Sequence, residues 1–328
     1  MLSARAASTF AKALSIALAA LTLATQAEAQ WPARRVNIIV PFAAGGGADP
    51  VARLIADDMS KRLGQPVTVE FKPGANATIG TTAVARARPD GYTLLLTSPA
   101  PITNAKQQTP DLAYDPRRDL IPIIHIADSP LSLIGNADFV AKDFKEFVAY
   151  ARQNPGKATV AIPGVGGLGH QAAALLAYKT GIKVNYVPYN GTGSIMTDLL
   201  SGQVNTSTGF PAAFLGSISE GKLRGLVLLS DKRMDELPDM PSIAESGYPD
   251  AQISAWYALF APKGTPPDIT ARVAKIVGEY LATDTARERF KAIGYRITGF
   301  DARKTAEVID KDTAAFTELF NAGIMKMR

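Results

Sequence analysis

Two stretches combine glycine with residues that open helices, and chemistry is most readily placed there. The first reads PFAAGGGADP at residues 41–50 and the second PGVGGLGH at residues 163–170. Glycine lets a backbone turn sharply and come close to another group. In the first stretch Asp49 and Pro50 read as a helix start, a capping carboxylate followed by proline at the first helical position. A helix N-terminus offers unpaired N–H groups and a favourable dipole, so each stretch is suited to an anion. The loops at 41–49, 97–104, 163–170 and 188–194 contain neither Lys nor Arg. They supply main-chain amides and short polar side chains, among them Thr97, Ser98, Asn190, Thr192 and Ser194. A carboxylate would be held there by dipoles and hydrogen bonds rather than by an ion pair. Each hydrogen bond to a charged group contributes about 1.5–3 kcal/mol, enough in a closing cleft for micromolar binding after the cost of association. Tight turns with no ligand would use the same glycines, and glycine alone does not separate the two.

Other chemistries find less support. Gly164, Gly166 and Gly169 match the dinucleotide fingerprint, but the stretch where its acidic residue belongs reads KVNYVPYN. GSISEGKL at 216–223 imitates a phosphate loop until Leu223 stands where a hydroxyl must hold magnesium. There is no cysteine, no G-x-S-x-G elbow and no cluster with metal-ligand spacing, so neither cofactor nor metal is expected. His125 lies in an apolar run and reads as structural. His170 opens the helix after the second glycine loop, where an imidazole could face a ligand or merely pack or cap. A secreted hydrolase would need His170 as base with Ser194 or Thr192 as nucleophile; otherwise the chain is not an enzyme.

These residues need a frame to position them. Val36, Ile38, Ile39 and Val40 read as a buried strand before the first loop. Val51, Leu54, Ile55, Met59 and Leu63 form the apolar stripe of the helix after it, which Gly64 stops. The order strand, proline, glycine loop, helix, glycine, strand recurs from residue 158 to 189. Alternating strands and helices imply βαβ units, and ligands of open α/β sheets sit at the carboxyl edges of the strands. Two α/β domains with a cleft between them are expected.

Residues 1–29 carry Arg5 and Lys12 ahead of an apolar run, then Ala27-Glu28-Ala29, the pattern of a secretory signal peptide cleaved before Gln30. The remainder holds 33 basic and 29 acidic residues, scattered without aromatic interleaving, so a nucleic-acid surface is not expected.

The stretches VNIIVPFAAGGGADPVARLIADDMSKRLGQPVTVEFKPGANATIG, ARPDGYTLLL, VPYNGTGSIMTDLLSGQV, LPDMPSIAESGYP and AWYALFAPKGTP occur in an order that resembles the Bug or TctC family. These are the periplasmic solute-binding proteins of tripartite tricarboxylate transporters. The resemblance implies a two-domain periplasmic binding protein (type II-like), each domain a mainly parallel sheet flanked by helices. Residues 30–128 and 253–328 would form domain I and 129–252 domain II. It implies a carboxylate held between the two glycine loops, partly through ordered water, and delivery to membrane components by a monomer. Carried onto this chain, the first loop supplies Phe42, Ala43, Gly45, Gly46 and Asp49, and the second supplies Gly164, Gly166, Gly167 and His170. Ser98 and the turn Tyr189, Asn190, Gly191 and Thr192 complete the pocket, with Gly209 beside it. Asp49 would cap the first helix and orient amides or water rather than meet the ligand.

Two departures stand out: Ala48 replaces a frequent threonine, and Thr206-Ser207-Thr208-Gly209 replaces an apolar pair followed by an acid. Loss of that acid suggests a larger or doubly charged ligand, such as an aromatic dicarboxylate. A periplasmic sensor that presents its ligand to a membrane kinase is the alternative role.

Overall fold

The computed structural model describes residues 31–109, 111–189 and 191–324. The expected signal peptide lies outside the described residues. Eleven strands form two sheets among the described residues. The first contains β1 (Val36–Val40), β2 (Val67–Phe71), β3 (Thr93–Thr97), β4 (Leu120–Pro130), β10 (Ser254–Pro262) and β11 (Arg296–Asp301), in the order β11-β4-β10-β3-β1-β2. The second contains β5 (Ser132–Asn136), β6 (Thr159–Pro163), β7 (Asn185–Tyr189), β8 (Thr206–Gly209) and β9 (Leu223–Leu228), in the order β7-β6-β8-β5-β9. The helices of eight residues or more are numbered α1 (Ala48–Leu63), α2 (Thr78–Ala85), α3 (Phe144–Gln153), α4 (Leu168–Thr180), α5 (Thr192–Leu200), α6 (Pro267–Leu281), α7 (Asp284–Ala292) and α8 (Ala302–Asn321).

The expected α/β architecture is present, but parallel pairing is confined to three strands in each sheet. These are β2-β1-β3 and β7-β6-β8. The long strands that carry the chain between sheets, β4 into β5 and β9 towards β10, pair antiparallel and make both sheets mixed. A chain that leaves a sheet and later returns to it beside the departing strand runs in the opposite direction, which the local sequence does not reveal. Sheet membership changes at Leu131, which donates its N–H to the Ile253 carbonyl at 3.2 Å and accepts from Leu229 N–H at 2.7 Å. Ile253 N–H in turn reaches the Leu229 carbonyl at 3.0 Å, so both crossings are bound in one hydrogen-bonded knot.

Each sheet is covered on both faces. In the first lobe Val51, Ile55 and Met59 of α1 join Val273 and Val277 of α6 and Phe290 of α7 over one face. Val84, Ile102 and Ile309 cover Trp256 and Phe260 on the other. In the second lobe Phe147 and Leu176 lie on one face, and Ile195, Leu199 and Phe214 on the other. Burial at this scale, roughly 1.5–3 kcal/mol per large apolar side chain, fixes the sheets as platforms for the loops at their edges. The C-terminal helix α8 backs β4 and also reaches the second lobe. Phe316 and Leu319 pack on Ala174 and Leu175 of α4, and Lys179 pairs with Glu318 at 2.7 Å.

Candidate functional site

β1 ends at Val40, and residues 43–47 are exposed before α1 begins at Ala48. Gly45 adopts a φ of 80°, in the left-handed region. This turns its N–H back onto Asp49, whose Oδ2 accepts it at 2.7 Å, while Asp49 Oδ1 accepts from Arg53 Nε. The Gly45 amide, with help from Arg53, holds the Asp49 carboxyl below the usual carboxylate range. Asp49 is therefore not the helix cap that the Asp-Pro pair predicts. The cap position belongs to Gly47, and Asp49 sits in the first turn with its side chain directed backwards into the loop. A side chain at Gly47 would stand 2.7 Å from the Tyr295 hydroxyl and 2.9 Å from that of Tyr257, so glycine lets this corner close. Among the described residues the N–H groups of Gly47 and Ala48 meet no main-chain acceptor.

The second lobe repeats the device with different parts. β6 ends at Pro163, Gly164 donates to the Tyr189 carbonyl at 2.9 Å, and Gly166 adopts a φ of 78°. The Gly166 N–H points back to His170 Nδ1 at 3.1 Å, in the first turn of α4. Because Nδ1 accepts, the ring proton sits on Nε2, which remains a donor. Burial pushes the His170 pKa down and keeps the ring neutral, and its edge packs on Tyr186 with centroids 5.1 Å apart. Gln171 Nε2 clamps the Gly166 carbonyl at 3.1 Å. The amides of Gly167, Leu168 and Gly169 meet no main-chain acceptor among the described residues. Pro99, next to Ser98, and Leu168, next to Gly167, line the same narrow pocket with Gln171 and Asp312. The segments that follow β3 and β6 thus approach one another at this point.

The profile of the tripartite tricarboxylate transporter family receptor, TctC, matches residues 51–322. The chain belongs to the TctC family. Protein BugT of Bordetella pertussis is 37% identical over 265 residues, covering 80% of this chain and 81% of BugT. MatC from Rhodopseudomonas palustris, with bound malate, shares 32% identity at a TM-score of 0.68, covering 88% of this chain and 99% of MatC. The R. palustris protein Rpa4515, with adipate, shares 29% identity at a TM-score of 0.71, covering 90% and 100%.

In this TctC-family chain the remaining residues singled out by sequence fall into two groups. Phe42, Ala43, Gly46 and Ser98 lie along the edge of the first sheet, where Ile39 is abreast of Leu95 and the register brings Phe42 level with Ser98. Tyr189, Gly191 and Thr192 lie at the end of β7 and the start of α5; Asn190 falls outside the described residues. Tyr189 donates its hydroxyl to Asp198 Oδ2 at 2.7 Å, so what it gives the loop is its carbonyl. Burial and the Asp198 charge push that phenol up to about 12.

The segment 206–209 is a buried strand. Its hydroxyls are engaged internally: Thr206 with the Thr159 carbonyl at 2.9 Å, Ser207 with that of Ala161 at 3.1 Å, and Thr208 with that of Gly169 at 2.7 Å. Gly209 makes room for Phe214, whose ring a Cβ there would meet at 2.9 Å. Arg53 was not among the residues singled out, although its i,i+4 spacing from Asp49 is a readable signal. His125 is packed between Trp256 and Phe300 with Nδ1 2.5 Å from Thr298 Oγ1, a structural residue as the sequence suggests. Burial pushes its pKa down to about 4.

Proposed function

We propose that this protein is a periplasmic receptor that captures a small organic carboxylate between its lobes and delivers it to the membrane components of a tripartite tricarboxylate transporter. The observation that carries the reading is the pair of glycine loops, each presenting helix N-terminal amides that no main-chain group among the described residues accepts from, at the carboxyl edge of its sheet, with no cation inside either loop. Arg53, the cation closest in sequence to the first loop, is already paired with Asp49. Hydrogen bonds from neutral donors to a charged ligand, at about 1.5–3 kcal/mol each, and two helix dipoles supply the attraction. Malate in MatC and adipate with Rpa4515 support the ligand class. In this reading Phe42, Ala43, Gly45, Gly46 and Ser98 face the ligand from domain I. Gly164, Gly166, Gly167, His170, Gly191 and Thr192 face it from domain II, and Asp49 holds the first loop in shape.

Domain I is residues 30–128 with 253–328 and domain II is 129–252, in a protein that works as a monomer after export and removal of residues 1–29. The hydrolase alternative loses ground because His170 Nδ1 holds a main-chain amide and the Ser194 hydroxyl donates to the Gly191 carbonyl at 3.0 Å. Calorimetry of the mature chain against malate, citrate, adipate, terephthalate and their neutral amides tests the reading, together with native mass spectrometry of protein purified without added ligand. Stoichiometric recovery of an unaltered acid is expected. Preference for the amides, or turnover of a bound ester, overturns it.

A further inference from the structure

Apolar side chains left in water are unusual when they cluster at a site that must hold a ligand. Val165 is 71% exposed and Phe210 is 40% exposed. Val165 stands between Gly164 and Gly166, both at positive φ, so the loop that offers its amides also projects this side chain. Phe210 follows β8 directly, and the parallel register that pairs Val160 with Thr206 and Ala161 with Ser207 brings Phe210 level with Gly164. The two apolar groups therefore both project from the carboxyl edge of the second sheet, at the ends of the neighbouring strands β6 and β8. In the first lobe the exposed part of the loop begins with the methyl groups of Ala43 and Ala44. The hydroxyls of Thr206, Ser207 and Thr208 are all turned into the fold. A ligand hydroxyl lying against Val165 and Phe210 would lose water and gain no partner from this strand, which is costly.

We infer that Val165 and Phe210 form an apolar wall beside the anion loops, and that this wall selects a carboxylate with a bare hydrocarbon body, a chain or an aromatic ring, over a hydroxylated acid. The inference rests on the carboxylate reading above. When the lobes close, the wall and the alanine methyls cover the body of the ligand while the amides hold its charged end. Burying this apolar surface favours such an acid by about tenfold or more.

Calorimetry with adipate, terephthalate, malate and citrate tests it, using the mature chain and the variants Phe210→Ala and Val165→Ala. Thermal melts establish that each variant is folded. Adipate or terephthalate is expected to bind the native chain at least about tenfold more tightly than malate. The ratio of adipate to malate affinity should fall about tenfold in Phe210→Ala and about threefold in Val165→Ala. Tighter binding of malate or citrate by the native chain, or a ratio unchanged in both folded variants, overturns the apolar wall and leaves the carboxylate site standing. Binding of none of the four acids overturns both.

Discussion

The two glycine loops reach one geometry with different chemistry. In each lobe a strand ends, a glycine near φ 80° turns its N–H backwards, and a side chain four residues later, in the first turn of the next helix, accepts it. The first lobe uses the carboxylate of Asp49 and the second the neutral imidazole of His170. A carboxylate accepts more strongly, but it places a negative charge close to the proposed anion site. Arg53 offsets that charge, and the first loop carries a three-part device as a result. The imidazole needs no counter-ion, but it works only while Nδ1 is unprotonated. Strength on one side is thus exchanged for electrical neutrality on the other, and the two loops should fail under different conditions.

The largest expected effect lies at the seam where the lobes meet. Asp312 of α8 is buried there, with Trp256 Nε1 donating to it at 2.7 Å, and burial raises its pKa to about 6. The folded state then holds the proton more tightly than the unfolded chain. Stability is lost as pH rises from about 4 through about 6 and stays reduced above. Asp312→Asn should raise stability at pH 7.5 by up to about 3 kcal/mol, with the gain vanishing near pH 4. Thermal melts between pH 4 and 8 measure it, and parallel curves for the two proteins would remove Asp312 from the account. This variant fixes the seam and leaves the loops as the remaining source of pH dependence.

Next in size is Asp49→Ala, which removes the acceptor for Gly45 and leaves Arg53 unpaired. Stability should drop by about 2 kcal/mol and ligand affinity more than tenfold by calorimetry. His170→Ala removes a neutral hydrogen bond, so a loss of about 1 kcal/mol is expected. Equal losses in the two variants would contradict the difference between the loops.

Acid should separate them further. The folded pKa of His170 lies below the ordinary 6.5, so its contribution is intact above that value and is lost as pH falls through it, because the unfolded chain takes the proton first. The pKa of Asp49 is lowered from 3.8, so its contribution persists to more acidic conditions. Amide exchange of Gly166 should accelerate as the pH falls below 6.5 while that of Gly45 stays slow relative to an unstructured amide; simultaneous loosening would refute the comparison. The smallest contrast is between the glycines at the two helix caps. Gly47→Ala meets two tyrosine hydroxyls within 2.9 Å and should cost about 1 kcal/mol. Gly167→Ala meets the Pro163 carbonyl at 3.3 Å and the Gly164 carbonyl at 3.6 Å and should cost roughly a few tenths of a kcal/mol in the same melts.

Much of the frame is legible in the sequence because it rests on local periodicity and local turns. The stripe Val51, Ile55, Met59 and Leu63 is buried as the helical period requires, and Gly64 and Gly181 end their helices in left-handed conformations at φ 64° and 67°. The start of α1 is read two residues late, because Asp-Pro fits a cap by local rules while the Gly45 turn offers Asp49 a different partner. Thr206, Ser207 and Thr208 look like a polar segment beside the pocket, yet they form a central strand. Their hydroxyls are satisfied by Thr159, Ala161 and Gly169, residues 39 to 47 positions away. No window of sequence contains both partners.

The sequence alone determined the two strand–loop–helix units, their glycine turns and the absence of cations inside them, since these depend on side-chain size, backbone freedom and residue type within a few positions. The tertiary structure alone decided which donors remain open. It brought Tyr257 and Tyr295 onto Gly47, Phe214 onto Gly209, and α8 across to α4. A hydrogen-bonding group is available to a ligand only if no neighbour has claimed it, and in this protein many of the claimants come from distant parts of the chain.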